Sequence, residues 1–282
     1  MAPAQLDHLP YMLKYNKGQN VQPIFQGWSR NADGTFDMHL GYLNRNYLEE
    51  LYIPVGPGNN IEPGGPDQGQ PTYFYTRNNR QIFSVTVPAD FGTQELVWTL
   101  TVHGRTEQAV GWLQPEWEID PTTGGRAQGE EARRNVAPTL ALSAPASASL
   151  SGKLTLSASV SDDGLPTPRG TRQLQRNRAV GQEIPPILVP PEGTPEPPTN
   201  LPQLNVNARG RQSRPTPPDG LSVSYIVWRG PAGVAFDPPF AKVEDGSAAT
   251  AATFTQPGDY VLQGRAYDGN KSTYEFVNVT IN

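Results

Sequence analysis

The stretch from Leu221 to Asp268 constrains the fold more than any other. Val223, Tyr225 and Val227 alternate with Ser222, Ser224 and Ile226, and Trp228 closes the run. A period of two is the signature of a strand with a buried face. Pro257-Gly258-Asp259 then marks a turn, and Tyr260–Tyr267 reads as a further strand that stops at Asp268-Gly269. Strands of this kind need a second sheet to cover their apolar face. The expectation is therefore an all-β sandwich with Trp228 and Tyr260 in its core.

At 282 residues the chain has room for two domains of ordinary size. A hydrophobic fraction of 36% suits small sandwiches, and 28 Gly with 30 Pro predict many turns and irregular connections. The net charge of −5 argues against a nucleic-acid partner, which requires a basic surface. With no cysteine, disulfides, thiolate nucleophiles and iron–sulfur ligation are excluded. No run of 18 apolar residues is present, so no transmembrane helix is expected. Met1-Ala2-Pro3-Ala4-Gln5 lacks the basic and apolar regions of a signal peptide. Either the protein stays in the cytosol or a leader precedes the chain.

Residues 1–20 read as an N-terminal arm in which Tyr11, Met12, Leu13 and Tyr15 stand among polar neighbours. The arm packs on its own domain or lies on a partner. Residues 21–120 read as a first β-sandwich. Its expected strands are Val21–Trp28, Thr35–Asn44, Leu48–Val55, Gln81–Val87, Glu95–Val102 and Thr106–Leu113, with a hairpin cue at Asn31-Ala32-Asp33-Gly34. The loop from Gly56 to Pro71 is far longer than a hairpin needs, which marks it as functional or irregular, and Tyr73, Phe74 and Tyr75 follow at once. Residues 121–135 are a polar linker.

The second sandwich spans residues 136–282, with Lys153–Val160 as a clear alternating strand ended by Asp162-Asp163-Gly164. The insert at 165–220 interrupts it. That insert is Pro-rich, carries Arg169, Arg172, Arg176, Arg178, Arg209, Arg211 and Arg214, and has almost no apolar periodicity. It cannot bury enough surface to fold alone. Two readings are open: a disordered loop, or an arm whose arginines grip carboxylates on another protein.

Residues with catalytic potential are scattered. His8, His39 and His103 lie far apart and match no metal-ligand spacing. Glu49 and Glu50, and Glu116, Glu118 and Asp120, are sequence neighbours, and such carboxylates on extended segments face solvent more often than each other across a cleft. Asp162-Asp163 could join a Ca²⁺ site but supplies few of the six to eight oxygens required, so a turn is the simpler reading. No nucleophile elbow, phosphate loop or dinucleotide fingerprint occurs. Neither an enzyme, a cofactor nor a bound metal is expected.

A Trp in one strand and a Tyr opening a later one fit an immunoglobulin-like sandwich. Asn135-Val136-Ala137-Pro138, Leu154–Val160 and Asp162-Asp163-Gly164-Leu165-Pro166 resemble the first half of a PKD-type immunoglobulin-like domain. Trp228-Arg229-Gly230-Pro231, Ala251–Phe254 and Pro257-Gly258-Asp259-Tyr260-Val261-Leu262 resemble its second half. The long insert departs from that family, which joins the two halves by a short loop. The resemblance implies an adhesive or spacing module outside the cytoplasm. The first domain is similar to bacterial envelope proteins through its Gly-Pro-Gly-Asn-Asn loop and the Glu95–Thr101 strand. The whole layout also resembles a membrane-extrinsic stabilising subunit of a phototrophic bacterial reaction centre–light-harvesting complex.

The fold class expected is thus all-β: two immunoglobulin-like β-sandwiches, the second split by a Pro/Arg-rich insert. The function expected is a non-enzymatic structural subunit on the periplasmic or extracellular face of a bacterial membrane. Its partners would be subunits of an integral membrane complex, with no nucleic acid and no membrane span. The residues nominated for partner binding are Tyr11, Tyr15, Ile61, Tyr73, Tyr75, Arg169, Arg172, Arg176, Arg178, Arg209 and Arg211. The alternative is a secreted adhesive or carbohydrate-binding sandwich, for which Trp28, Trp112 and Trp117 could offer stacking faces.

Overall fold

The structure, a computed structural model, describes residues 15–119, 130–168 and 217–282. The described residues are dominated by strands, with one 3-10 turn at Pro115–Trp117 and one short helix, α1 (Glu130–Arg134). Tyr11 and the six nominated arginines of the insert lie outside the described residues.

The first half contains β1 (Val21–Arg30), β2 (Phe36–Asn44), β3 (Leu51–Tyr52), β4 (Asn59–Glu62), β5 (Tyr73–Phe74), β6 (Arg77–Val87), β7 (Leu96–Val102) and β8 (Arg105–Gly111). They form a sheet β1-β2-β6, a sheet β4-β7-β8, and a short pair β3-β5. Trp28, Met38, Leu40, Phe74, Leu96, Trp98 and Leu100 fill the core between them. In β7 the apolar residues alternate strictly inward, as the sequence requires.

Two expectations are revised here. The strand expected over 48–55 shrinks to the two residues of β3, because Asn46 and Glu49 are drawn into side-chain and backbone bonds with the N-terminal segment. Conversely, the long loop is not all loop: Asn59–Glu62 pairs with β7 as an edge strand.

The second half contains β9 (Thr139–Ser143), β10 (Ser147–Ala148), β11 (Lys153–Ser161), β12 (Ser222–Arg229), β13 (Val234–Asp237), β14 (Ala241–Lys242), β15 (Ser247–Phe254), β16 (Gly258–Tyr267) and β17 (Ser272–Ile281). One sheet runs β10-β17-β16-β12-β14 and the other β13-β15-β11-β9. The sandwich closes over Leu154, Leu156, Val223, Tyr225, Val227, Tyr260, Leu262, Val279 and Ile281. Trp228 and Tyr260 are buried. The two ends of the insert meet at one end of this sandwich: a Cβ added to Gly220 would lie 3.4 Å from the Pro168 ring.

Candidate interaction surfaces

The loop between Gly56 and Pro71 is folded by its own amide side chains. Asn59 donates to the carbonyls of Ile53 and Pro71 and accepts from the Trp98 indole at 3.0 Å. Gln70 donates to the carbonyls of Asn59 and Pro66, and Gln68 to those of Ile61 and Pro63. Both Asn59 and Gln70 are fully buried, so these bonds replace the water that the loop backbone has lost.

So ordered, the loop joins the two sandwiches. A bulge in β12 places Trp228 as an extra residue between Val227 and Arg229 and turns its backbone toward the first half. The Trp228 carbonyl accepts from the Thr72 amide at 3.0 Å, and its indole donates to the Gly69 carbonyl at 3.0 Å. Arg229 donates to the Gln70 carbonyl and forks onto Asp67 at 2.9 and 2.6 Å. The Val227 amide donates to the Tyr75 hydroxyl at 2.8 Å, and the Gly230 amide to the Thr72 hydroxyl. Gly230 is required where it stands, with φ +156 and only 2.3 Å between an added Cβ and the Tyr260 ring.

These bonds relocate three nominated residues. Ile61 is in the first core with no exposure. Tyr73 is packed into the second core and donates to Glu50 at 2.6 Å; burial, then that carboxylate, pushes its phenol far up. Tyr75 is held at the junction, and burial raises its phenol likewise. Their partner is the other half of the same chain. The sequence contained a clue in the Asn and Gln of the loop, but nothing local says where such amides will bond.

Tyr15 is exposed, as a partner-binding residue should be. Its carbonyl accepts from the Tyr47 amide, and Asn16 accepts from Leu48 and Glu49. Tyr47 and Leu48 are also exposed, and the Arg77 guanidinium lies 4.1 Å over the Tyr47 ring.

A second exposed aromatic surface lies on the first sandwich. Trp117 stacks at a tilt against Trp112, with centroids 4.9 Å apart, and against Phe25 at 5.4 Å. It is 40% exposed. The segment is pinned to β1 by the Trp28 indole donating to the Gln114 carbonyl and by the Ile119 amide donating to the Trp28 carbonyl. An added Cβ on Gly27 would meet the Trp117 carbonyl at 2.6 Å, so only glycine lets the segment lie so close. Glu118 closes the rim in an ion pair with Arg30 at 2.7 Å. Trp28, nominated as a stacking face, is instead the buried fastener.

Histidines and carboxylates have local employment. Both His39 ring nitrogens are engaged by cross-strand hydroxyls, Ser29 at 2.8 Å and Ser84 at 3.0 Å, and burial lowers its pKa. His103 sits in the β7–β8 turn, 3.6 Å from Glu49. Asp162 and Asp163 cap turn amides at Gly164, Leu165 and Val136, and Asp268 caps Asn270 and Lys271. Among the described residues no group of three or more His, Cys, Asp or Glu is placed to hold a metal ion, and no helix is long and apolar enough to cross a membrane.

No family model matches the chain, and no curated protein matches it. Among solved structures it is similar to the D00-D0 domain of intimin, with 10% identity and a TM-score of 0.27, over 93% of this chain and 100% of that one. The all-β, immunoglobulin-like assignment rests on the strand pairing above. None of these comparisons supports the resemblance to a reaction-centre subunit.

Proposed function

We propose that this chain is a non-enzymatic, extracytoplasmic adhesive module that binds glycans on the Trp112–Trp117 surface. The observation that carries this reading is the Trp117 indole, held exposed against Trp112 and Phe25 by a segment whose own backbone is fastened to β1. A fixed aromatic face offers apolar area at little entropic cost, and the flanking Arg30–Glu118 pair supplies donors and acceptors suited to hydroxyl groups. The location outside the cytoplasm comes from the PKD-type resemblance of residues 135–282. The test is a glycan array probed with the full chain and with Trp117→Ala. Binding by the parent that the variant loses supports the reading; equal signals, or none, refute it.

A second reading has its own observation. Tyr15, Tyr47, Leu48 and Arg77 form an exposed patch where the N-terminal segment meets the sandwich. Such a patch suits a structural subunit seated on a membrane complex, including a reaction centre–light-harvesting assembly. Purification from native membranes decides it: co-purification with an integral complex, lost in Tyr47→Ala/Leu48→Ser, supports this reading.

A further inference from the structure

We infer that the outer edge of β17 is a docking site for an extended strand of a partner protein, one that alternates apolar and basic residues. β17 is an outer strand of its sheet for most of its length. Its one neighbour on that side, β10, pairs only with Thr280 and Ile281. From Ser272 to Val279 the edge has no strand beside it among the described residues. The amides of Thr280 and Asn282 donate outward, to the carbonyls of Ala146 and Ala148. Alternation then aims the N–H and C=O groups of Tyr274, Phe276 and Asn278 at the same open side.

Edges are normally blunted by Pro, Lys, bulges or shortness. The sequence Ser-Thr-Tyr-Glu-Phe-Val-Asn-Val has no Pro and no Lys, and its register against β16 is unbroken over ten pairs. Other outer strands differ: β14 has two residues and β13 four. β6 carries Arg77 and Arg80 and pairs with β2 through a register shift.

The side chains specify the occupant. Tyr274 and Phe276 are 49% and 50% exposed on the outer face of the sheet. Phe276 leans on Trp228 and Tyr274 lies beside Arg265, so both rings are held rather than loose. An incoming strand meets these rings with alternate apolar side chains. On the opposite face it meets Glu275, which is exposed and has no cation paired to it among the described residues. A basic residue one position out of phase with the apolar ones fits there. A second copy of β17 does not: Ser272–Val279 contains no Lys or Arg to face Glu275. This mode is strand addition, in which main-chain bonds give affinity and alternate side chains give selectivity.

The site is independent of the Trp112–Trp117 surface. Its test is amide hydrogen exchange by NMR on the full chain, with a nine-residue peptide of alternating Val and Lys as probe. Without peptide, the amides of Tyr274, Phe276 and Asn278 should exchange fast while those of Glu275 and Val277, bonded to β16, are protected. Saturating peptide should slow the three outward amides, and the same peptide N-methylated at alternate residues should not. Glu275→Lys should weaken the Val/Lys peptide about two- to fivefold, the size of an exposed ion pair, and should improve a Val/Glu peptide. The inference is overturned if the three amides stay fast with peptide bound or if the methylated peptide protects equally. It is equally overturned if protection rises with protein concentration alone, which would assign the edge to a second copy.

Discussion

At the scale of single residues, two aspartates titrate in opposite senses. Hydrogen bonds from Arg229 hold the Asp67 carboxyl below the usual carboxylate range. Its contribution is therefore complete above about pH 4 and is lost as pH falls through the lower folded value. The pair is largely exposed on the Asp67 side, so Asp67→Asn should cost no more than about 1 kcal/mol, with the loss vanishing in acid. Burial, then the charges of Asp268 and Asp163, raises Asp162, and its Oδ1 is buried without a partner. Here the stabilising state is the protonated one, present below about pH 4 and lost as pH rises through the raised value. Asp162→Asn should raise the melting temperature at pH 7 and leave it unchanged near pH 3; equal shifts at both pH values would refute the burial argument. The Tyr225 hydroxyl is also buried without a hydrogen bond, and burial pushes its pKa to about 12. Tyr225→Phe should therefore stabilise by about 1 kcal/mol in urea unfolding, since the ring keeps its stack on Phe236.

At the scale of elements, β12 does two tasks. Its odd residues Val223, Tyr225 and Val227 fill the core of the second sandwich, and its bulge at Trp228 hands the strand end to the first. Trp228 is buried between Phe83 and Phe276. Truncating so large an aromatic should cost about 3–5 kcal/mol, measured by chemical denaturation of Trp228→Ala. The insert that precedes β12 leaves and re-enters the sandwich at touching points, Pro168 and Gly220. Replacing residues 169–216 by four Gly/Ser residues should therefore leave the fold intact. It should raise stability by about 2 kcal/mol, since each halving of a loop relieves about 0.6 kcal/mol of closure entropy. A large loss of stability would show that the insert contributes packing.

At the scale of the whole molecule, the junction makes the two sandwiches one mechanical body. Tyr73 sits in the far core, Tyr75 and Thr72 bond the β12 backbone, and Arg229 forks onto Asp67. A calorimetric scan of the intact chain should show one cooperative transition. Tyr75→Phe combined with Arg229→Ala should split it into two, because the Val227 amide and the loop carbonyls lose their partners together. A scan of the parent that already resolves two transitions would refute the coupling.

The sequence alone determined which residues alternate, and therefore the all-β class, most strand positions and the burial of Trp228 and Tyr260. Those follow from a period of two and from turn residues, which are local properties of the chain. It also showed that the stretch at 56–71 was too long to be a plain turn. The tertiary structure decided what that stretch does. Asn59, Gln68 and Gln70 could have bonded to water or to a partner, and only the approach of β12 directs Tyr75, Thr72 and Asp67 inward. The same holds for Trp28 and Trp117: both are aromatic and lie in segments of similar polarity, yet one is buried and the other displayed. Which indole is which depends on the backbone of 114–119 settling against Gly27. Pairing across such sequence distances is set by packing and hydrogen-bond satisfaction over the whole molecule, and no local pattern encodes it.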